Sequence, residues 1–284
     1  MPMEITGYAD VVLPECTYLE RFDDLRHAPH REPSIALRAP AAEPLGDSKP
    51  ADWIAKELGK RMGLDAYFPY DDYSEVLEKQ LVQLGTSLEE MKKIGVKHFE
   101  REDPFLYMPE GVDWPFNTPS GKIELYSSVM AQYGFDPLPN YTEHPQPPAG
   151  FYRLIYGRAP AHTFSRTANN PHLVDLMKEN ALWVNPKVAK LWGLEHDQKI
   201  WLQNQDEVIS TFPIKVRITE RIRWDSVYMV HGFGHQRKEL TRAFGRGAND
   251  TELITNVMVD PTMGGTGMRG NFVTFLLTDP EKLS

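Results

Sequence analysis

Leu182-Trp183-Val184-Asn185-Pro186-Lys187-Val188-Ala189-Lys190-Leu191-Trp192-Gly193-Leu194 is the stretch from which the fold can be read. A short apolar strand runs into Asn185, a residue type suited to capping a helix. Pro186 follows at the first helical position, where its missing N–H is not needed, and Gly193 stops the helix. On either side of it, strand patterns recur at Arg153–Tyr156, Lys199–Gln203, Val208–Val216, Ser226–Val230 and Phe272–Leu277. One further helical stretch runs from about His172 to Glu179. Six short strands with few helices predict a small β-barrel or sandwich of about 130 residues.

Upstream the texture changes. Pro137, Pro139, Pro145, Pro147 and Pro148, ending at Ala149-Gly150, mark the best boundary, which divides the chain into residues 1–150 and 151–284. Within the first part, Ala9-Asp10-Val11-Val12-Leu13-Pro14 reads as a short buried strand stopped by proline. A buried strand needs sheet neighbours and none precedes it, so the chain is expected to begin partway through a domain. Pro29, Pro33, Pro40, Pro44 and Pro50 make the next segment a surface loop. Three amphipathic helices follow. Ser48 and Asp52 open the first, with Ile54, Leu58 and Met62 at helical spacing and Gly63 as its stop. Val76, Leu77, Leu81 and Leu84 mark the second, up to Gly85, and Ser87-Leu88-Glu89-Glu90 is a capping box for the third, up to Gly95. The turn Asn117-Thr118-Pro119-Ser120-Gly121 feeds an alternating strand, Lys122-Ile123-Glu124-Leu125-Tyr126.

Composition narrows the function. The net charge of −9 lacks the basic footprint of a nucleic-acid binder. A single cysteine, Cys16, excludes an internal disulfide framework, a Cys-based zinc site and an iron–sulfur cluster held within this chain. Flanked by Glu15 and Glu20, it reads as a packed thiol. No apolar run approaches the roughly 20 residues that span a bilayer, and Met1-Pro2-Met3-Glu4-Ile5 has no secretory pattern. A soluble enzyme or a binding module remains.

The chemistry concentrates in three loops. Tyr156-Gly157-Arg158-Ala159-Pro160-Ala161-His162-Thr163-Phe164-Ser165-Arg166-Thr167-Ala168-Asn169-Asn170-Pro171 leaves a strand at a glycine and then gathers hydrogen-bonding groups, as loops around a polar ligand do. Arg158 and Arg166 have the guanidinium forks that match phosphate oxygens. His231-Gly232-Phe233-Gly234-His235 ends another strand. A metal reading of its two histidines lacks a third ligand, and its glycines suit close backbone approach to a flat ligand. Asp260-Pro261-Thr262-Met263-Gly264-Gly265-Thr266-Gly267 lacks the Gly-Lys-Ser/Thr ending of a phosphate loop. Around it, Asn249, Asp250, Asn256 and Asn271 supply paired donors and acceptors for a purine edge. Asn185 serves its own helix or brings free N–H groups to an anion. A hydrolase finds no Gly-x-Ser-x-Gly elbow.

Ala9-Asp10-Val11-Val12-Leu13-Pro14-Glu15-Cys16-Thr17-Tyr18-Leu19-Glu20-Arg21 resembles the segment that ends the third domain of molybdopterin oxidoreductases of the dimethyl sulfoxide reductase family. Ser120-Gly121-Lys122-Ile123-Glu124-Leu125-Tyr126-Ser127 resembles the strand before that family's final domain, and residues from about 151 resemble its dinucleotide-binding domain. His231-Gly232-Phe233-Gly234-His235 with Gly245-Arg246-Gly247-Ala248-Asn249-Asp250 is most similar to polysulfide and thiosulfate reductase catalytic subunits. The resemblance implies a mixed α/β N-terminal part, the end of a Rossmann-like domain plus helices, followed by a C-terminal six-stranded double-psi β-barrel. It implies cofactor contacts at Gly157, Arg158, His162, Thr163, Thr167, Asn185, His231, Gly232, Asn249, Asp250 and Asn271. The cofactor implied is molybdopterin guanine dinucleotide in its bis form with molybdenum. Neither a catalytic residue nor a metal ligand is expected in this chain, since the molybdenum ligand and the iron–sulfur cluster motif belong to N-terminal domains outside it. Where many members have an acidic residue soon after Asn-Pro, this chain reads Lys187-Val188-Ala189, which puts a guanine contact there in doubt. The implied partners are those N-terminal domains, an iron–sulfur electron-transfer subunit and a membrane anchor subunit, on the periplasmic side of a membrane. The alternative is a free-standing double-psi barrel that carries a cofactor or binds protein without catalysis.

Overall fold

The computed structural model describes residues 2–100, 116–138, 140–267 and 270–282. Pro139, in the proline-rich stretch, lies outside the described residues. Two compact units form, one from residues 11–122 and one from residues 1–10 with 123–284. The proline-rich stretch at 136–150 therefore belongs to the second unit.

In the unit of residues 11–122, strands β1 (Arg26–Ala28), β2 (Ser34–Ala36) and, after the helices, β3 (Val96–His98) pair antiparallel in the order β1-β2-β3. Helix α1 (Ala51–Arg61) starts after Pro50, and α2 (Tyr73–Gln83) is capped by Asp72, which accepts from Ser74 N at 2.9 Å. Helix α3 (Leu88–Ile94) is capped by Ser87 and ends at Gly95, whose φ of 73° needs glycine. Glu90 does not close the expected capping box; its carboxylate accepts from Thr86 Oγ1 at 2.6 Å. Leu77, Leu81, Leu88 and Met91, from the helical faces with apolar spacing, pack with Leu25 and Ile35. The parallel pairing of a Rossmann-like sheet is not found among this unit's described residues.

Two expected strands do not form. Val11–Leu13 has no regular secondary structure, with Val11 73 % and Leu13 52 % exposed. The nearest pairing is a single parallel bridge, Glu15 to Lys49. In Lys122–Tyr126 the alternation is real, but Ile123 and Leu125 lie 69 % and 83 % exposed. Strand patterning specifies which side chains share a face; it does not supply the neighbour whose N–H and C=O groups would complete a ladder. The chain instead turns at Ser127 into a short helix, α4 (Ser128–Gln132).

The barrel is formed by β4 (Tyr152–Gly157), β5 (Ala181–Val184), β6 (Lys199–Asn204), β7 (Ile214–Ile218), β8 (Ser226–Val230) and, after a hairpin of β9 (Met258–Val259) with β10 (Thr266–Gly267), β11 (Phe272–Leu276). It closes in the order β11-β4-β8-β5-β7-β6. β4 runs parallel to β8 and β5 parallel to β7; the remaining pairs are antiparallel. Its interior is Leu154, Leu182, Val184, Ile200, Leu202, Ile214, Val216, Val227, Met229, Val273 and Phe275, alternate residues as the period of two requires. Two helices intervene, α5 (Pro171–Val174), half the expected length, and α6 (Pro186–Trp192), which matches its capping signals. Expected strand Val208–Val216 shortens to β7 because residues 204–210 form a turn in which Asn204 Oδ1 accepts from Asp206 N and Val208 N, and Pro213 has no N–H to offer.

Candidate functional site

Parallel pairing puts the exits of β4 and β8 side by side: Gly157 O accepts from His231 N at 2.8 Å. β5 runs opposite to β8, so its entry, Asn180, lies at this same end and its exit, Asn185, at the other. The loop after β4 and the loop after β8 therefore meet over one mouth of the barrel.

A cleft of about 300 Å³ opens there, lined by residues that include Ser165, His231, Gly232, His235, Asn249 and Glu252. His231 faces it on a fully buried carboxylate. Asp250 is 0 % exposed and accepts from His231 Nδ1 at 2.9 Å, which fixes the proton on Nδ1. The edge of Phe164 packs on the imidazole with centroids 5.5 Å apart. Gly232 has φ +94°, and a Cβ there would sit 2.5 Å from the carbonyl carbon of Phe164. Its glycine thus lets the two loops touch each other. Gly157 is likewise crowded by its own barrel: a Cβ would stand 2.7 Å from Tyr228 Oη. Burial pushes that phenol above its ordinary pKa. Asn249 Oδ1 accepts from Thr251 N at 3.0 Å beside the cleft.

Arg158 and Arg166 are exposed and have no carboxylate partner among the described residues. Arg158 lies over the Phe164 ring at 4.6 Å, a contact that steadies the guanidinium without consuming its donors.

Other expected site residues are occupied within the fold. His162 is buried; its Nε2 pairs with Met177 O at 2.9 Å and its Nδ1 with Thr167 Oγ1 at 3.3 Å. Thr167 Oγ1 also accepts from Thr163 N at 2.9 Å. These three shape the loop from within. Asn185 caps α6 through Lys187 N at 3.0 Å and donates to Ile222 O at 2.8 Å, at the far end of the barrel from His231. Asn271, fully buried, accepts from Thr255 N, Asn256 N and Gln205 Nε2 and donates to Asn256 O at 2.7 Å. It ties two turns together. The structure thus assembles Gly157, His231, Gly232, Asn249 and Asp250 at one mouth, with Arg158 on the adjoining loop.

Two features escape local pattern reading. Asn180 is fully buried beneath the cleft; its Nδ2 donates to Val230 O at 2.8 Å and Ala248 O at 2.9 Å, and its Oδ1 accepts from Ala248 N at 3.1 Å. It is the clasp between the loops that carry His231 and Asp250. Glu4, far upstream, reaches His235 Nδ1 at 3.0 Å and Gln236 N at 3.2 Å. The dipeptide Glu179-Asn180 carries no signal of the first, and only a long-range comparison could reveal the second.

Residues 152–271 match the molydopterin dinucleotide binding domain. The chain is 31 % identical over 278 residues to the thiosulfate reductase molybdopterin-containing subunit PhsA of Salmonella typhimurium, covering 89 % of this chain and 36 % of that protein. It is 26 % identical over 257 residues to the dimethyl sulfoxide reductase DmsA of Escherichia coli K12, covering 76 % of this chain and 30 % of that one. Among solved structures, acetylene hydratase from Pelobacter acetylenicus superposes with a TM-score of 0.76 at 25 % identity, over 97 % of this chain and 39 % of that one. The chain spans about a third of the length of the curated relatives it matches.

Proposed function

Because the chain belongs to the molybdopterin oxidoreductase family, we propose that it is the dinucleotide-binding part of a molybdenum-dependent oxidoreductase that reduces a sulfur compound such as thiosulfate or polysulfide. The cofactor is molybdopterin guanine dinucleotide, in its bis form, held between this part and others of the enzyme. The observation that carries the reading is the barrel mouth, where His231 stands on buried Asp250 and packs on Phe164, and where the loop after β4 carries Arg158, over that same ring, and Arg166, both without carboxylate partners among the described residues. The residues present fit part of such a ligand. Arg158, braced on Phe164, and Arg166 offer forked donors to diphosphate oxygens. His231 offers one ring nitrogen at a fixed angle, and Asp250 positions it rather than touching the ligand. When bound, the group supplies two-electron oxidation and reduction at molybdenum. This chain's own work is to hold, orient and partly cover it. PhsA is by name a subunit, which supports a larger assembly; in this reading the partners are the enzyme's N-terminal domains, an iron–sulfur electron-transfer subunit and a membrane anchor, on the periplasmic side of a membrane.

The test is native mass spectrometry of the folded chain with released molybdopterin guanine dinucleotide. A saturable adduct is expected, weakened at least tenfold by Arg158→Ala, as loss of a charge-assisted contact requires. No adduct from the folded wild-type chain, or an adduct indifferent to Arg158→Ala, overturns this assignment of the mouth.

A further inference from the structure

Two buried side-chain nitrogens, His235 Nε2 and Arg237 Nε, have no hydrogen-bond partner among the described residues, and they lie two residues apart on one loop. Folded proteins rarely leave such an atom without a partner, so each one asks for an explanation. For His235 the surroundings supply one. Its ring is 5 % exposed and lines the same cleft as His231. Its Nδ1 faces the Glu4 carboxylate at 3.0 Å, while the other oxygen of Glu4 accepts from Gln236 N at 3.2 Å. A carboxylate can only accept, so Nδ1 carries the proton, and in the neutral ring Nε2 is left as an acceptor. The segment bearing Glu4 is seated, not loosely draped. Arg237 lies over the Tyr8 ring at 3.9 Å, and a Cβ on Gly7 would come within 2.7 Å of Arg237 Nε.

We propose that His235 is a ligand-contacting residue of the cleft, held by Glu4 so that its Nε2 accepts a hydrogen bond from the N–H edge of a bound heterocycle. This rests on the dinucleotide reading above and names the part of the ligand that enters this cleft. The lining argues for a donor edge over a phosphate: it includes the carboxylates Glu4 and Glu252 and neither lysine nor arginine. His231 repeats the arrangement four residues earlier, its Nδ1 committed to Asp250. Two imidazoles with their Nδ1 protons tied down thus stand in one cleft, each with an acceptor nitrogen to offer. A guanine or a pterin presents adjacent ring N–H and amino donors, the complement of such a wall. Glu4 is the positioning residue of the pair.

The experiment uses the whole chain labelled with nitrogen-15 in its histidines and follows the His235 Nε2 resonance during separate additions of guanosine diphosphate, 6-hydroxymethylpterin and inorganic pyrophosphate. The expected starting signal is that of an unprotonated acceptor nitrogen. It should move with guanosine diphosphate or with the pterin, which tells the two rings apart, and stay still with pyrophosphate. Glu4→Gln, which removes the obligatory acceptor at Nδ1, should mix the tautomers and weaken the responding ring compound about tenfold. His235→Leu should weaken it at least as much, and His235→Gln, whose amide oxygen can stand near the lost Nε2, should recover part of the loss. A protonated Nε2 in the free chain, a response to pyrophosphate alone, or unchanged affinity in the Glu4 and His235 variants overturns the proposal. If the wild-type chain takes up the dinucleotide in the mass-spectrometric assay while neither ring compound moves His235, this inference fails and the cofactor reading stands. If the dinucleotide itself does not bind, the cofactor reading fails first.

Discussion

Replacing Asn180 by alanine should destabilise the barrel unit by roughly 3–4.5 kcal/mol. The side chain makes three hydrogen bonds in a fully buried position, two through Nδ2 and one through Oδ1. Truncation leaves the carbonyls of Val230 and Ala248 and the N–H of Ala248 without these partners, at about 1–1.5 kcal/mol each. Against a total stability of about 5–15 kcal/mol, the variant stays folded but weak. With a urea dependence near 2 kcal/mol per molar, the unfolding midpoint should fall by about 2 M. Asn180→Asp sharpens the test. It keeps the acceptor for Ala248 N but sets a buried carboxylate against two carbonyls, so it should be worse than alanine. Equilibrium urea unfolding followed by tryptophan fluorescence reads both. A loss below 1 kcal/mol for alanine, or an aspartate variant as stable as wild type, would refute the idea that this amide clasps the two loops. Since Val230 and Ala248 adjoin the residues that carry the cleft, ligand affinity should drop in step with stability.

Two glycines with left-handed backbones should respond unequally to alanine. Gly193→Ala, with nothing within 4 Å of the new Cβ, should cost only the backbone penalty of about 1–2 kcal/mol, whereas Gly232→Ala adds overlap with Phe164 backbone and should exceed 3 kcal/mol. Equal losses in thermal unfolding would sink the steric argument. The unit of residues 11–122 should be acid-sensitive through Glu20, whose carboxylate accepts from Thr17 N at 2.7 Å and Leu45 N at 2.9 Å; the Thr17 backbone bond, foremost, holds its pKa below the ordinary value of 4.5. A depressed carboxylate stabilises the fold above its unfolded pKa and loses that contribution as pH falls through the folded one. The stability gap between wild type and Glu20→Gln should therefore shrink as pH drops below about 4.5, and a gap independent of pH would contradict it.

Much of the barrel is legible in local sequence, and the reasons are physical. Strands β4, β5, β6, β8 and β11 announce themselves because one face of each packs inward and the period of two survives in the side chains. Helix α6 is legible to the residue, because Asn185, Pro186 and Gly193 each solve a terminus problem that only a helix poses. What local pattern cannot hold is partnership. Val11–Leu13 and Lys122–Tyr126 have strand composition without a ladder. The same blindness limits the site. His231 and Gly232 are conspicuous in their loop, but His162, Thr167 and Asn185 are equally polar and their side chains are engaged by neighbours. Asn180, Glu4 and His235 matter through contacts tens to hundreds of residues away, which composition does not encode.

The order of pairing in the barrel has a consequence for its birth on the ribosome. β4 is bordered by β8 and β11, and β6 by β7 and β11, so one late segment seals two earlier ones. Between the end of β4 and the start of β11 lie about 115 residues. At about 5–20 residues per second, β4 waits on the order of ten seconds for its last neighbour. During that interval the nascent chain carries two bare backbone edges with apolar residues such as Leu154, Ile155, Ile200 and Leu202, the kind of template that recruits other chains. Newly made protein is then most in need of a chaperone during this interval, and deleting the five residues of β11, Phe272–Leu276, should return the molecule to that vulnerable state.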